Sequence, residues 1–276
     1  MTLTIRDALA GAVETLKDQS EAETLLAEAI NKTRAFVRLN GNDVLSSTQV
    51  EKFQMFVNSR QRHQPVSQII GHRDFWKHNF IVTPDVLDPR PDTETLVEAA
   101  LNLGPFETIL DLGTGSGCIL LSLLDEWGAA QGRGVDVSDG ALDVAIKNAE
   151  RLNVKNRARF TLGNWCDGIF EKFDLVVSNP PYISADEMDT LEEDVRHWEP
   201  RIALTPEGDG LEAYRQIAAQ AKSVMRDGAF LLLEIGFTQA SEVCQILTNA
   251  GYADTKSIKD INGKDRVVSA VWNGES

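Results

Sequence analysis

Along the first part of the chain, apolar residues fall at helical spacing. Ile5, Leu9, Val13 and Leu16 line one stripe, and Ala22, Leu25, Leu26, Ala29 and Ile30 line a second. Ser20, ahead of Glu21 and Glu23, reads as a helix start. A third stretch, 47–61, sets Val50, Phe53, Phe56 and Val57 on one side, with Ser47 and Glu51 as a loose cap. These stretches predict a small helical domain over 1–64. From 65 to 82 the pattern breaks into short apolar runs around Gly71 and around Lys77-His78-Asn79, which predicts a β-hairpin or two short strands. TPDVLDPRPDTE follows, and its Pro84, Pro89 and Pro91 exclude a regular helix or central strand. Hairpin and linker together occupy 65–88, and a helix carrying Ala99 and Leu101 starts near Asp92.

From there the period alternates. Apolar strands are predicted at 108–113, 133–138, 158–164, 173–179 and 228–236, with two more near 253–261 and 265–272. Helices are predicted at 117–127, 139–152, 211–226 and 238–250. The 139–152 helix turns Leu142, Ala145, Ile146 and Ala149 to one face, and the 211–226 helix carries Leu211, Tyr214, Ile217, Ala218, Ala221 and Met225. Short apolar strands joined by helices are the signature of a buried parallel sheet, so 89–276 reads as one α/β domain.

Charge narrows the partners. With 42 acidic against 27 basic residues, the net charge is −15, which disfavours broad binding to phosphate backbones. Cys118, Cys166 and Cys244 are far apart with no CxxC spacing, and the four histidines make no metal-ligand pattern. This suits a reducing cytosol, without disulfides or zinc. The start carries no signal-peptide pattern and no apolar run reaches membrane-spanning length, so a cytoplasmic location is expected.

The candidate chemistry lies at strand ends. DLGTGSG (111–117) closes one strand and opens a helix, and its glycines at 113, 115 and 117 let a ligand approach the backbone and the helix amides. The spacing is neither the G-x-G-x-x-G of dinucleotide folds nor a P-loop. A cofactor with an amino-acid tail suits it better than NAD. Asp136 ends the next strand, placed to accept two ribose hydroxyls. Trp165 follows the third strand and either packs on an adenine or is a half-buried core residue. NPPY (179–182) closes the fourth strand. Carbonyl oxygens of Asn179 and Pro180 supply two acceptors for one planar NH₂ group, Pro181 stiffens the turn, and Tyr182 supplies a flat face. Such a site recognises an amide or an aromatic amine and orients its nitrogen toward an electrophilic methyl on a sulfonium.

Four stretches, PRPDTE (89–94), LDLGTGSG (110–117), VVSNPPYI (176–183) and EPRIALTPEGDGLEAYRQI (199–217), make the chain resemble the release-factor glutamine methyltransferase family. NPPY alone is shared with nucleic-acid amine methyltransferases; the first and last stretches are much narrower. The resemblance implies a seven-stranded, Rossmann-like methyltransferase sheet with its last strand antiparallel, behind a small helical N-terminal domain and a β-hairpin linker. It implies S-adenosylmethionine held by Gly113, Thr114, Gly115, Ser116, Gly117, Asp136, Trp165 and Asn179. The substrate glutamine, in the Gly-Gly-Gln motif of peptide-chain release factors, would lie against Asn179, Pro180, Pro181 and Tyr182. The helices would grip the body of that factor, with neither membrane nor nucleic acid as partner. GNW before Trp165 and the proline-free VSDGAL depart from the family pattern. Alternatives are a ribosomal-protein glutamine methyltransferase, a DNA or RNA exocyclic-amine methyltransferase, which the charge opposes, and an adaptor without chemistry, which the intact NPPY opposes. Glu234, in LLLEIG, is a strand-end residue that either lines the pocket or caps the following helix; the sequence does not assign it one of these roles.

Overall fold

The computed structural model describes residues 3–274. The chain forms two compact units: one holds the chain up to His72 together with Glu192–Trp198, the other Arg73–Leu191 and the chain from Glu199 onward.

The first unit contains α1 (Ile5–Leu16), α2 (Gln19–Ala29), α3 (Arg34–Leu39), α4 (Ser47–Arg60) and the short α5 (Val66–Ile70). Thr4, Asp18, Thr33 and Ser46 cap the first four helices, each accepting a backbone amide three residues on. The cap expected at Ser20 is therefore Asp18, and the one expected at Ser47 is Ser46. Ser46 forms a full capping box with Gln49, not with Glu51; the partner must sit at the third helical position to reach back to the cap amide. Ile5, Leu25, Leu26, Val37, Phe53 and Val57 form the core. Glu23 is 1% exposed beside them. Arg38 and Arg34 contact it at 2.6 and 3.1 Å, and the Arg38 guanidinium above all holds its carboxyl down to about 2.

Residues 66–70 correct the expectation of a strand there. Pro65 precedes the turn of helix and Gly71, at φ 82°, ends it, the Pro-first, Gly-last order that brackets short helices. The short helix Glu193–Trp198 also belongs to this unit. Arg60 binds Asp194 at 2.6 Å, and Trp198 Nε1 donates to the Arg62 carbonyl at 3.1 Å. It buries no side chain, so no apolar stripe announced it.

The second unit opens with a hairpin of β1 (His72–Phe75) and β2 (His78–Ile81). Its sheet comprises β3 (Thr108–Leu112), β4 (Gln131–Asp136), β5 (Ala158–Leu162), β6 (Phe173–Ser178), β7 (Met225–Glu234), β8 (Ala253–Lys259) and β9 (Asp265–Trp272). The order is β5-β4-β3-β6-β7-β9-β8, with β9 antiparallel to both neighbours and the other pairings parallel. The longer helices are α6 (Glu94–Leu103), α7 (Cys118–Glu126), α8 (Asp139–Arg151), α9 (Glu212–Gln220) and α10 (Ala240–Asn249). Strand residues divide by parity. Leu110, Val176, Leu231 and Leu233 pack with Tyr214, Ile217 and Leu247. Ile109, Leu175, Val177 and Leu232 pack with Leu96, Leu120 and Leu121. Both sheet faces are therefore covered.

The chain runs outward from β3 to β5 and then returns to β6 on the other side of β3. The gap between the carboxyl ends of β3 and β6 is thus the switch point where α/β sheets take ligands. Two further expectations change. The helix placed at 211–226 ends at Gln220, because Met225 pairs with Phe173 and begins β7. Ile146 is 37% exposed, and α8 instead buries Val144 and Asn148 beside Leu142, Ala145 and Ala149. Among the described residues no helix is long and apolar enough to cross a membrane.

Removing the Ser46 hydroxyl leaves the Gln49 amide without its capping acceptor, while the Ser46 amide keeps its bond to Gln49 Oε1. Ser46→Ala should lower the unfolding free energy by about 1 kcal/mol in urea titrations; an unchanged midpoint would show that the hydroxyl cap adds nothing.

Candidate active site

After Leu112 the backbone turns through Gly113, Gly115 and Gly117 at φ 70°, 54° and 79°, a region that costs any other residue strain. Amides of Gly113 and Thr114 both donate to the Val135 carbonyl at 2.9 Å, so β4 holds the turn in place. Asp136 finishes the job. Its Oδ2 accepts the Gly115 amide at 2.9 Å and its Oδ1 the Ser138 amide at 3.0 Å. Each oxygen keeps acceptor capacity beyond these bonds. Burial pushes the Asp136 pKa up. Beneath the loop, Asp111 is fully buried. Thr114 donates to its Oδ2 at 2.7 Å, and desolvation pushes its pKa up to about 7. Asn148, also fully buried, donates to the carbonyls of Ser116 and Ile81 at 2.9 and 3.1 Å and accepts the Ile81 amide at 2.7 Å. One helix side chain thereby fixes the loop to the hairpin.

Across the switch point, β6 ends in Ser178, buried although polar. Its hydroxyl donates to the Leu112 carbonyl at 2.7 Å, the residue opposite it on β3. The polar strand end is thus a lock between the two strands that carry the glycine loop and NPPY. Asn179 follows, its Nδ2 donating to Thr93 Oγ1 at 3.3 Å. Pro180 is buried. The Tyr182 carbonyl accepts from Gln239 Nε2 at 2.9 Å, and burial pushes the Tyr182 hydroxyl up to about 12. A Cβ at Gly210 would come within 2.5 Å of that same carbonyl, so the DGLEAY stretch lies directly against the NPPY turn.

The narrow PRPDTE stretch also resolves into partners. Arg90 Nη2 contacts both oxygens of Glu199, at 2.7 and 2.6 Å, which joins it to the EPRIAL stretch. Asp92 binds Arg266 of β9 at 2.8 Å. Glu94 accepts the Trp76 amide at 2.7 Å. Thr93 meets Asn179. Glu199 is buried, and desolvation pushes it up to about 7 against the pull of Arg90.

A cavity of about 300 Å³ opens between these pieces. Of the residues expected at the site, Gly113, Thr114, Gly115, Ser116, Asp136, Trp165, Asn179 and Pro181 line it. Gly117, Pro180 and Tyr182, expected with them, are not among its lining residues. Trp165 is half-buried, its Nε1 donating to Gln216 at 2.8 Å. Other wall residues were not anticipated: Asp85, Asp88, Arg90, Thr93, Glu212 and Gln216 among them. Their signal was position within the proline-rich and DGLEAY stretches, not residue type. The wall carries the carboxylates of Asp85, Asp88, Asp136 and Glu212, while its one basic residue among those described, Arg90, is tied to Glu199. Such a wall suits a cationic ligand and opposes a pyrophosphate. No group of acidic, histidine or cysteine side chains among the described residues could hold a metal ion.

Comparisons with known proteins agree with this architecture. Residues 75–208 match the family model of the methyltransferase small domain, and residues 6–71 that of the PrmC N-terminal domain. A release factor glutamine methyltransferase of Cereibacter sphaeroides is 47% identical over 265 residues, 96% of this chain and 94% of the relative. One of Caulobacter vibrioides is 41% identical, covering 99% of this chain and 98% of the relative. The solved hMettl16 catalytic domain, in complex with an MAT2A 3′UTR hairpin, superposes with a TM-score of 0.59. It covers 91% of this chain and 93% of its own at 16% identity, a likeness of fold.

Asp111 and Glu234 are both fully buried and both pushed by desolvation up to about 7, from ordinary values of 3.8 and 4.5. The folded state therefore binds more protons than the unfolded one between those values. The stability they contribute is complete below about pH 4 and is lost as pH rises through about 7. The melting temperature should fall between pH 5 and pH 7.5, and Glu234→Gln should flatten that fall. An equal slope in the variant would show that Glu234 is already ionised at pH 5.

Proposed function

The chain belongs to the release factor glutamine methyltransferase family, and from that premise we propose that it methylates the side-chain amide nitrogen of the glutamine in the Gly-Gly-Gln motif of peptide-chain release factors, using S-adenosylmethionine. The observation that carries this reading is the placement of Asn179 on the wall of the cavity that the glycine loop also lines. An amide-holding edge and a cofactor cradle then share one chamber.

The residues present fit the cofactor. Open space lies above Gly115, where a Cβ would meet nothing within 4 Å. The spare acceptors of Asp136 suit ribose hydroxyls, the Trp165 ring gives an apolar face, and the acidic wall suits a ligand bearing ammonium and sulfonium charges. When bound, S-adenosylmethionine supplies a methyl group on a positively charged sulfur, whose departure leaves a neutral thioether, and the methylated nitrogen gives up one of its two protons to solvent water.

The chain's own residues then have to overcome the poor nucleophilicity of an amide. Asn179 Oδ1 and the Pro180 carbonyl accept the two hydrogens of the glutamine NH₂. Holding both hydrogens fixes the nitrogen's direction and favours the geometry in which its lone pair is free of the carbonyl. These are fixed dipoles set before reaction, worth most at the transition state. The Tyr182 ring, packed in the core cluster and raised in pKa, stays neutral and serves as a flat support rather than a base. The helical unit binds the body of the release factor, which concentrates the Gly-Gly-Gln tip at the cavity.

Incubation with a labelled methyl donor and a release factor, followed by mass spectrometry, should place one methyl on the glutamine of Gly-Gly-Gln. Label on a ribosomal-protein glutamine or on a nucleobase would replace this reading with another substrate. Asn179→Ala should lower kcat by at least about a hundredfold while cofactor affinity, read by calorimetry, stays near wild type. Asp136→Ala should show the opposite emphasis, with weakened cofactor affinity; unchanged affinity removes Asp136 from the ribose site.

A further inference from the structure

Thr93 stands where the 3-10 turn Pro91–Thr93 runs into α6, with helical dihedrals of φ −65° and ψ −21°, and its hydroxyl caps no amide. A residue with those dihedrals is not placed to cap the helix, which leaves its hydroxyl to other partners. This one is 2% exposed and points its hydroxyl elsewhere. Asn179 Nδ2 donates to its Oγ1 at 3.3 Å, and the Thr93 hydroxyl lies near enough to the Glu234 carboxyl to draw its pKa down against the desolvation that raises it. Sheet register explains the meeting. Ser178 of β6 pairs with Leu233 of β7, so Asn179 and Glu234 are the next residues on adjacent parallel strands. Glu234 is 1% exposed, and its Oε2 is buried without a hydrogen-bond partner among the described residues. A carboxylate kept so deep serves no packing purpose that a glutamine or leucine would not serve at lower cost.

We propose that Thr93, with its hydroxyl aimed by Glu234, is a positioning residue that sets which way round the Asn179 amide stands. This rests on the proposed reading of Asn179 as an acceptor for the substrate amide. Threonine has one hydroxyl proton. Once Glu234 takes it, only lone pairs face Asn179, so Nδ2 must turn to Thr93 and Oδ1 is left as the acceptor at the cavity wall. With the amide reversed, an NH₂ would meet the NH₂ of the substrate, and two donors would face each other. These contacts give the threonine inside PRPDTE a role that its helical position alone does not supply.

The test uses the full-length protein, a release factor and wild-type turnover as the first measurement. Absence of glutamine methylation by wild type would sink the proposed function itself, and this inference with it, before any variant is compared. Given wild-type turnover, Thr93→Val, which keeps the shape and removes the hydroxyl, should lower kcat by about ten- to a hundredfold. The KM for release factor and the calorimetric affinity for cofactor should change by less than about threefold, and Thr93→Ser should restore most of kcat. Thr93→Ala serves as a second hydroxyl-free variant should the valine variant fold poorly. Glu234→Gln should lower kcat alone, yet add little on top of Thr93→Val, because both act through one bond. Wild-type kcat in both hydroxyl-free variants, or losses in Thr93→Val and Glu234→Gln that simply add, would overturn the inference while leaving the proposed function standing. So would a crystal structure of Thr93→Val with the Asn179 amide unmoved and kcat unimpaired.

Discussion

The site depends on one bond between strand ends: the Ser178 hydroxyl on the Leu112 carbonyl at 2.7 Å. Parallel strands align their carboxyl ends but leave the last carbonyls without partners, and here one is satisfied by a side chain instead of by solvent. The consequence is positional. The glycine loop leaves β3 and NPPY leaves β6 from the same level, on either side of the switch point. The proposed cofactor and substrate amide then meet at an edge whose level the sheet itself sets. Orientation of that kind accounts for a large share of what a protein can offer a reaction between two poorly matched partners.

Around this edge the molecule spends buried charge freely. Asp111 and Glu234, neither with an arginine in contact among the described residues, are both pushed up to about 7 by loss of water. Buried carboxylates cost stability unless paired, so their concentration beneath one cavity marks the region where packing has yielded to function. The first unit shows the contrast. Its buried acid, Glu23, is clasped by Arg38 and Arg34 and held far below the usual range, a structural pairing.

Much of this was legible in the chain. The strand runs and the DLGTGSG and NPPY stretches gave the sheet and the two halves of the site, since buried parallel strands and glycine turns leave composition marks of their own. What escaped notice did so for physical reasons. Residues 66–70 are too short to show a helical period, and only Pro65 and Gly71 mark the turn. The helix Glu193–Trp198 buries nothing. Met225 satisfied the spacing of a helix while pairing as a strand, because a single position fits both periods. Asn148 and Thr93 were missed because their importance lies in what they face across the fold, and neither local sequence nor residue type reveals a partner that register supplies.

The most direct measurement is a crystal structure of the protein with S-adenosylhomocysteine and a Gly-Gly-Gln peptide bound together. The expected result has the glutamine NH₂ within hydrogen-bonding distance of both Asn179 Oδ1 and the Pro180 carbonyl, with its nitrogen facing the cofactor sulfur. A peptide amide held by other groups, or an Asn179 that presents its nitrogen to the substrate, would contradict the mechanism at its root.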